Sequence, residues 1–99
     1  MSTLLVEFAQ ETLMLEPYQV TSLTASVYDD GTRPPARRAI VTVERVPIWF
    51  TAYAGRSPGM GTGNRKYPGG SESVEGTEAI QAFKAFSTGR AVLNVQYAN

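Results

Sequence analysis

The glycine run Gly59-Met60-Gly61-Thr62-Gly63 resembles a loop that wraps phosphate in backbone N–H groups. That chemistry needs a strand before the run and a helix opening directly after it. Asn64-Arg65-Lys66-Tyr67-Pro68 follows, which is no helix start, and the Lys-Ser/Thr pair of a Walker loop is missing. The run therefore reads as a flexible contact loop whose glycines allow close backbone approach to a partner. Glu72, Glu75 and Glu78 recur at every third position beside a glycine-rich turn. Carboxylates can hold calcium or, as a pair, hydrolyse a glycosidic bond. The EF-hand loop pattern is not present and nothing marks a pair, so a solvated acidic face is the reading. Arg33, Arg37, Arg38, Arg56, Arg65 and Lys66 fall near the aromatics Trp49, Tyr53 and Tyr67. Cations with aromatics can grip single-stranded nucleic acid; they are equally the composition of protein–protein hot spots. A net charge of zero and a pI of 6.2 disfavour nucleic acid, because a dedicated binder is clearly basic.

The chain has no histidine and no cysteine. This removes imidazole acid–base catalysis, the Ser-His-Asp triad, thiol nucleophiles and nearly all zinc sites. The expectation is a protein without catalysis, cofactor or metal. A small secreted domain would usually carry disulfides, so the lack of cysteine favours a reducing compartment. No apolar run approaches the ~20 residues that span a bilayer. Met1 to Glu7 lacks a basic segment leading into an apolar one, which points to synthesis in a cytoplasm without export by the standard route and to no membrane partner.

Charge is unevenly spread. Residues 1–32 hold Glu7, Glu11, Glu16, Asp29 and Asp30 and no base, whereas residues 33–66 hold seven bases and a single acid, Glu44. The two segments either neutralise each other within one fold or meet between copies, acidic face to basic face.

The elements that must position these side chains are strands. Leu4 to Phe8 is a short apolar run, and Thr12 to Glu16 sets Leu13 and Leu15 on one face before Pro17 breaks it. From Val20 to Tyr28, Leu23, Ala25 and Val27 alternate with Thr24, Ser26 and Tyr28, the period of a half-buried strand. Asp29-Asp30-Gly31 and Arg33-Pro34-Pro35 make a turn and loop. Arg38 to Val46 is the clearest strand, with Ala39, Val41 and Val43 facing one way. After Pro47, Ile48, Phe50 and Ala52 share a face, and Trp49, Thr51 and Tyr53 share the opposite one. Trp49 and Tyr53 thus form a candidate sugar-stacking platform or subunit contact, unless both faces are covered. Residues 54–70 read as a long glycine-rich loop of the kind that is functional or mobile, and Ser71 to Glu75 as a weak strand. Residues 77–86 fit either a helix capped by Thr77 or a turn followed by a strand from Ala82 to Ser87. The second option is preferred because Thr88-Gly89 then closes a short hairpin into the last strand, Arg90 to Tyr97, whose core face is Ala91, Leu93, Val95 and Tyr97. The sum is one all-β domain over 1–99, an antiparallel β-sandwich or small barrel of about seven or eight short strands.

Three stretches carry a family resemblance: Arg38-Ala39-Ile40-Val41-Thr42-Val43-Glu44-Arg45-Val46-Pro47-Ile48-Trp49-Phe50, Ile80-Gln81-Ala82-Phe83-Lys84-Ala85-Phe86-Ser87-Thr88-Gly89, and Leu93-Asn94-Val95-Gln96-Tyr97. Together they resemble small β-sandwich structural proteins of tailed bacteriophages. The likeness covers roughly residues 37–97; the loop after Phe50 has more glycine and more base than the commonest form of the family. The resemblance implies a virion component without catalysis, assembled in the host bacterial cytoplasm. Its leading form is a head decoration or cement protein that associates with its own copies and binds the major capsid protein or other virion proteins. A head–tail connector or tail accessory protein is the alternative within the particle, and a carbohydrate-binding module using Trp49 and Tyr53 is the alternative outside it. The expected contact residues are Arg33, Arg37, Arg38, Trp49, Tyr53, Arg56, Arg65 and Lys66, from the loops at 33–38 and 54–70 and the strand between them. A short terminal strand such as Leu4 to Phe8 is also suited to exchange between copies.

Overall fold

The structure, a computed structural model, describes residues 7–23 and 36–98. Eight strands and one short helix follow in order: β1 (Glu7–Met14), β2 (Val20–Ser22), β3 (Arg38–Glu44), β4 (Ile48–Thr51), β5 (Asn64–Lys66), β6 (Ser71–Glu75), α1 (Thr77–Ala82), β7 (Lys84–Phe86) and β8 (Val92–Ala98). They form two four-stranded sheets, ordered β1-β8-β3-β6 (sheet A) and β2-β7-β4-β5 (sheet B), with every pairing antiparallel. This is the all-β sandwich expected from the alternation.

The long strands β3 and β8 present their alternating apolar set inward. On β3 these are Ala39, Val41 and Val43, and on β8 they are Leu93, Val95 and Tyr97, all buried. Ile48 and Phe50 of β4 and Ala85 of β7 face them from sheet B. Phe83 stacks on Phe50 with ring centroids 5.5 Å apart. Tyr97 is fully buried, and its hydroxyl donates to the Glu11 carboxylate on β1, which meets the need of a buried O–H for a partner. Helix α1 closes one end of the sandwich. It starts at Gly76, whose φ of 98° suits glycine, and it drives Ile80 into the core. Thr77 is not the N-cap; its hydroxyl donates to the Ala36 carbonyl at 2.8 Å.

Three expectations need correction. The segment 54–70 is not loop throughout. Asn64–Lys66 forms β5 against Ile48–Phe50, and Gly59 and Thr62 exchange backbone hydrogen bonds of 3.1 and 2.9 Å around Met60-Gly61. These three polar residues are a strand because β4 offers a free edge, not because of their own pattern. Second, residues 77–86 make a six-residue helix and then a strand, and that strand does not hairpin into the last one. β7 pairs with β2 and β4, while β8 pairs with β1 and β3. Residues 87–91 carry the chain from one sheet to the other. Third, the runs expected at Leu4 to Phe8 and Thr12 to Glu16 are joined in one strand, β1 (Glu7–Met14), with a register shift against β8 between Glu7 and Ala9. Of the strand expected over Val20 to Tyr28, Val20–Ser22 is β2; residues 24–28, and residues 4–6 of the first run, lie outside the described residues.

The crossover at 87–91 is fastened by Ser87. Its side chain is fully buried, donates to the Pro47 carbonyl at 2.8 Å and accepts from the Gly89 N–H at 3.2 Å. Two turns beside it hold non-glycine residues at positive φ. Glu16-Pro17-Tyr18-Gln19 closes with Gln19 N–H on the Glu16 carbonyl, with Tyr18 at φ 63°, where such a turn favours glycine. Arg45 has φ 80°, and Val46 N–H reaches back to the Glu44 carbonyl at 3.0 Å. This makes a γ-turn of the strained hand.

Two stability measurements follow. Ser87→Ala strands a buried carbonyl and should cost about 2 kcal/mol, read as a lower urea midpoint at unchanged slope. Arg45→Gly relieves the turn and should raise the midpoint by the equivalent of about 1 kcal/mol; a lower midpoint would show that the Arg45 side chain stabilises the turn more than its backbone strains it.

Candidate functional site

The two outer faces differ in chemistry. That of sheet A is polar: Thr12 donates to Asn94 at 3.0 Å, the Asn94 amide donates to Glu44, and Thr42 and Ser71 share a 2.9 Å hydrogen bond. Such a satisfied ladder is what a water-facing antiparallel sheet carries. Sheet B is different. The register sets Val20 opposite Phe86, Phe86 opposite Trp49, and Trp49 opposite Arg65. One row thus crosses all four strands on the side away from the core.

That row is built as a ring-and-cation stack. The Arg65 guanidinium lies 3.7 Å from the Trp49 ring centroid and 5.3 Å from that of Tyr67. Trp49 meets Phe86 at 6.1 Å, and Tyr18 meets Phe86 edge-on at 6.2 Å. Phe86 is thereby nearly covered, whereas Tyr18 (64%), Val20 (46%) and Tyr67 (61%) remain exposed. A cation over Trp is worth about 0.5–1 kcal/mol at an exposed site. It holds the guanidinium over the ring, and a guanidinium stacked on a ring uses its faces and keeps its N–H donors in the plane. Arg65 makes no ion pair among the described residues.

The next row on the same face, Ser22, Lys84 and Thr51, is partly closed. Thr51 is buried and donates to the Arg56 carbonyl at 3.3 Å, so the chain after β4 folds back over it. Gly63 lies against this place: a Cβ there would meet the Phe50 carbonyl oxygen at 2.8 Å.

The eight residues expected to form one contact surface do not converge. Arg33 lies outside the described residues. Trp49 and Arg65 come together as described. Lys66, next to Arg65 but on the opposite side of β5, points towards the interior, where its ammonium meets Glu72 of β6 at 3.0 Å. Arg38 is paired with Glu75 at 2.9 Å, and Arg37 is exposed beside it. Tyr53 is 71% exposed, but it borders a shallow groove with Ala54, Glu78, Ala79 and Ala82 of the α1 end; Arg56 is exposed in the same connection. Tyr53 therefore does not form a platform with Trp49. The acids that neutralise Arg38 and Lys66 come from 71–75, not from the acidic N-terminal third. Within that third, Glu16 pairs with Arg90 at 3.7 Å.

Glu72, Glu75 and Glu78 serve separate partners or solvent, and no three metal-ligating side chains converge among the described residues. Sequence reasoning missed Tyr18, Val20 and Phe86. Phe86 had a signal, its alternation with Ala85, but its neighbour Trp49 is set by the pairing of β7 with β4, which local pattern does not encode.

Compared with known proteins, the chain matches no family model, no curated protein and no solved structure.

Trp49 is the only tryptophan, so its emission reports on this stack directly. Arg65→Ala should shift the Trp49 emission maximum while lowering stability by no more than about 1 kcal/mol. An unchanged spectrum would mean that the guanidinium does not rest on the ring in solution.

Proposed function

We propose that this chain is a non-catalytic assembly module, a structural protein of a tailed-bacteriophage particle, and in its most specific form a head decoration protein. The observation that carries the binding part is the Val20–Phe86–Trp49–Arg65 row with Tyr18 and Tyr67 at its flanks. Tyr, Trp and Arg are the residues on which protein interfaces concentrate their energy. Here Trp49 and Arg65 stand on a sheet, with Tyr18 and Tyr67 in the adjoining connections, and the sheet residues need little ordering when a partner arrives. The particle part is supported by the sequence resemblance. Its three stretches fall on β3 and β4, on α1 and β7, and on β8, which together are the framework of the sandwich. A small module of this kind gains avidity when a repeating lattice offers it many equivalent places.

Location at the neck or tail is the second reading within the same particle, and copy number separates the two. The carbohydrate-binding reading loses support: one face of the Trp49 ring is occupied by Arg65, and Phe86 lies against it at a tilt, so no open stacking platform is left.

Quantitative mass spectrometry of purified particles should find this chain at about one copy per capsid subunit or per capsomer. A stoichiometry matching a single ring would move it to the neck or tail, and absence from particles would overturn the reading. On the particle, Arg65→Glu should reduce occupancy at least tenfold. Arg37→Glu with Arg38→Glu should matter less, because Arg38 is already committed to Glu75.

A further inference from the structure

The geometry points to a partner that presents a carboxylate to Arg65, and we propose that the outer face of sheet B binds an extended acidic protein segment of the pattern acidic–x–apolar–x–apolar. This rests on the reading of that face as the assembly surface and names the chemistry it recognises.

Arginine stacked on an aromatic ring uses the faces of the guanidinium and leaves its donors in the plane, the fork that matches a carboxylate. Arg65 is held in this way by Trp49 and Tyr67 and has no acidic partner among the described residues. Its neighbours in the two rows, Val20, Phe86, Trp49 and Ser22, Lys84, Thr51, add a second cation, Lys84, and no acid; Glu78 lines the groove beside Lys84. A single fork with one lysine nearby fits one carboxylate. It is a poor match for a polyanion, which needs many phosphate contacts.

The apolar part of the row sets the rest of the pattern. Strands lie about 4.8 Å apart, so Val20 stands about 14 Å from Arg65 along the row. An extended segment advances about 3.3 Å per residue and repeats a face every second residue. With its acid beside Arg65, the following residues on that face run past Trp49 and Phe86 towards Val20. Val20 is 46% exposed and offers the end of the track. The 52–56 connection closes over Thr51 at the β4 position of the neighbouring row, while Ser22 and Lys84 of that row stay accessible.

The test is a fluorescence titration of the whole protein through Trp49 with the capped peptide Glu-Ala-Leu-Ala-Leu, at low salt and up to millimolar concentration. A saturable change in Trp49 emission is expected. Binding should weaken roughly tenfold when Gln replaces the Glu and by a similar factor in Arg65→Ala, with far-UV circular dichroism unchanged. Arg65→Lys should fall between, because it keeps the charge without the planar fork. Equal binding of the Glu and Gln peptides, or no response to either, overturns the proposal. So does a ten-nucleotide oligo-dT that binds where the peptide does not, which would make the face a nucleic-acid surface. The titration and the particle census fail independently: a chain present on particles that ignores the peptide loses this partner chemistry alone, and a chain that binds the peptide but is missing from particles loses the virion reading alone.

Discussion

Tyr97, Phe83, Leu15, Ile48 and Ile80 meet between the two sheets with essentially no exposed surface, and no single sheet could hold them in place. Of the six strand pairings among the described residues, only β4 with β5 joins neighbours in chain order. Every other pairing needs loops closed across the other sheet first, which makes the fold depend on non-local contacts. Burial of the inward rows is the driving force, at about 25 cal/mol per Å² of apolar area, and the strands gain it only as a set. This explains why the crossovers are fastened by specific hydrogen bonds, such as those of Ser87 to Pro47 and Gly89. It also explains how the Tyr18 and Arg45 turns tolerate positive φ: the packed layers on either side over-determine the backbone between them.

The same rigidity gives the outer face of sheet B its character. Trp49 shares β4 with Ile48 and Phe50, which anchor in the core on the other side. Arg65 shares β5 with Lys66, whose ion pair with Glu72 ties sheet B to the edge of sheet A. Alternation along each strand thus couples an inward anchor to an outward contact residue. Trp49, Phe86 and Arg65 are held at strand spacing by the interior, and Tyr18 and Tyr67 flank them from the adjoining connections.

Alternation made much of the fold legible. Ala39, Val41 and Val43, and Ala91, Leu93, Val95 and Tyr97, could be assigned to the core from period alone, and Pro17 and Pro47 marked true strand ends. What could not be read was partnership. Residues 64–66 carry no apolar signal and become a strand through β4. Thr88-Gly89 resembles a hairpin turn by local rule, yet the chain there changes sheets, because β7 finds β2 and β4. The candidate site suffered in the same way. Trp49 and Arg65 were both picked out, but their stacking follows from the β4–β5 register. Arg38 and Lys66 looked like free cations until β6 placed Glu75 and Glu72 beside them.

Three edge strands turn a charge towards the interior: Glu11 on β1, opposite Val95, Lys66 on β5, opposite Ile48, and Glu72 on β6, opposite Val41. Each is satisfied within its own sandwich, Glu11 by the Tyr97 hydroxyl and the other two by each other. A foreign strand laid along any of these rims would have to strip water from a charge whose partner is already fixed. Inward charges at the rim are a known guard against edge-to-edge growth. These three rims are therefore guarded against strand addition, whereas the fourth, β2 (Val20–Ser22), carries no charge, so a contact between copies is left to the faces and to that one rim.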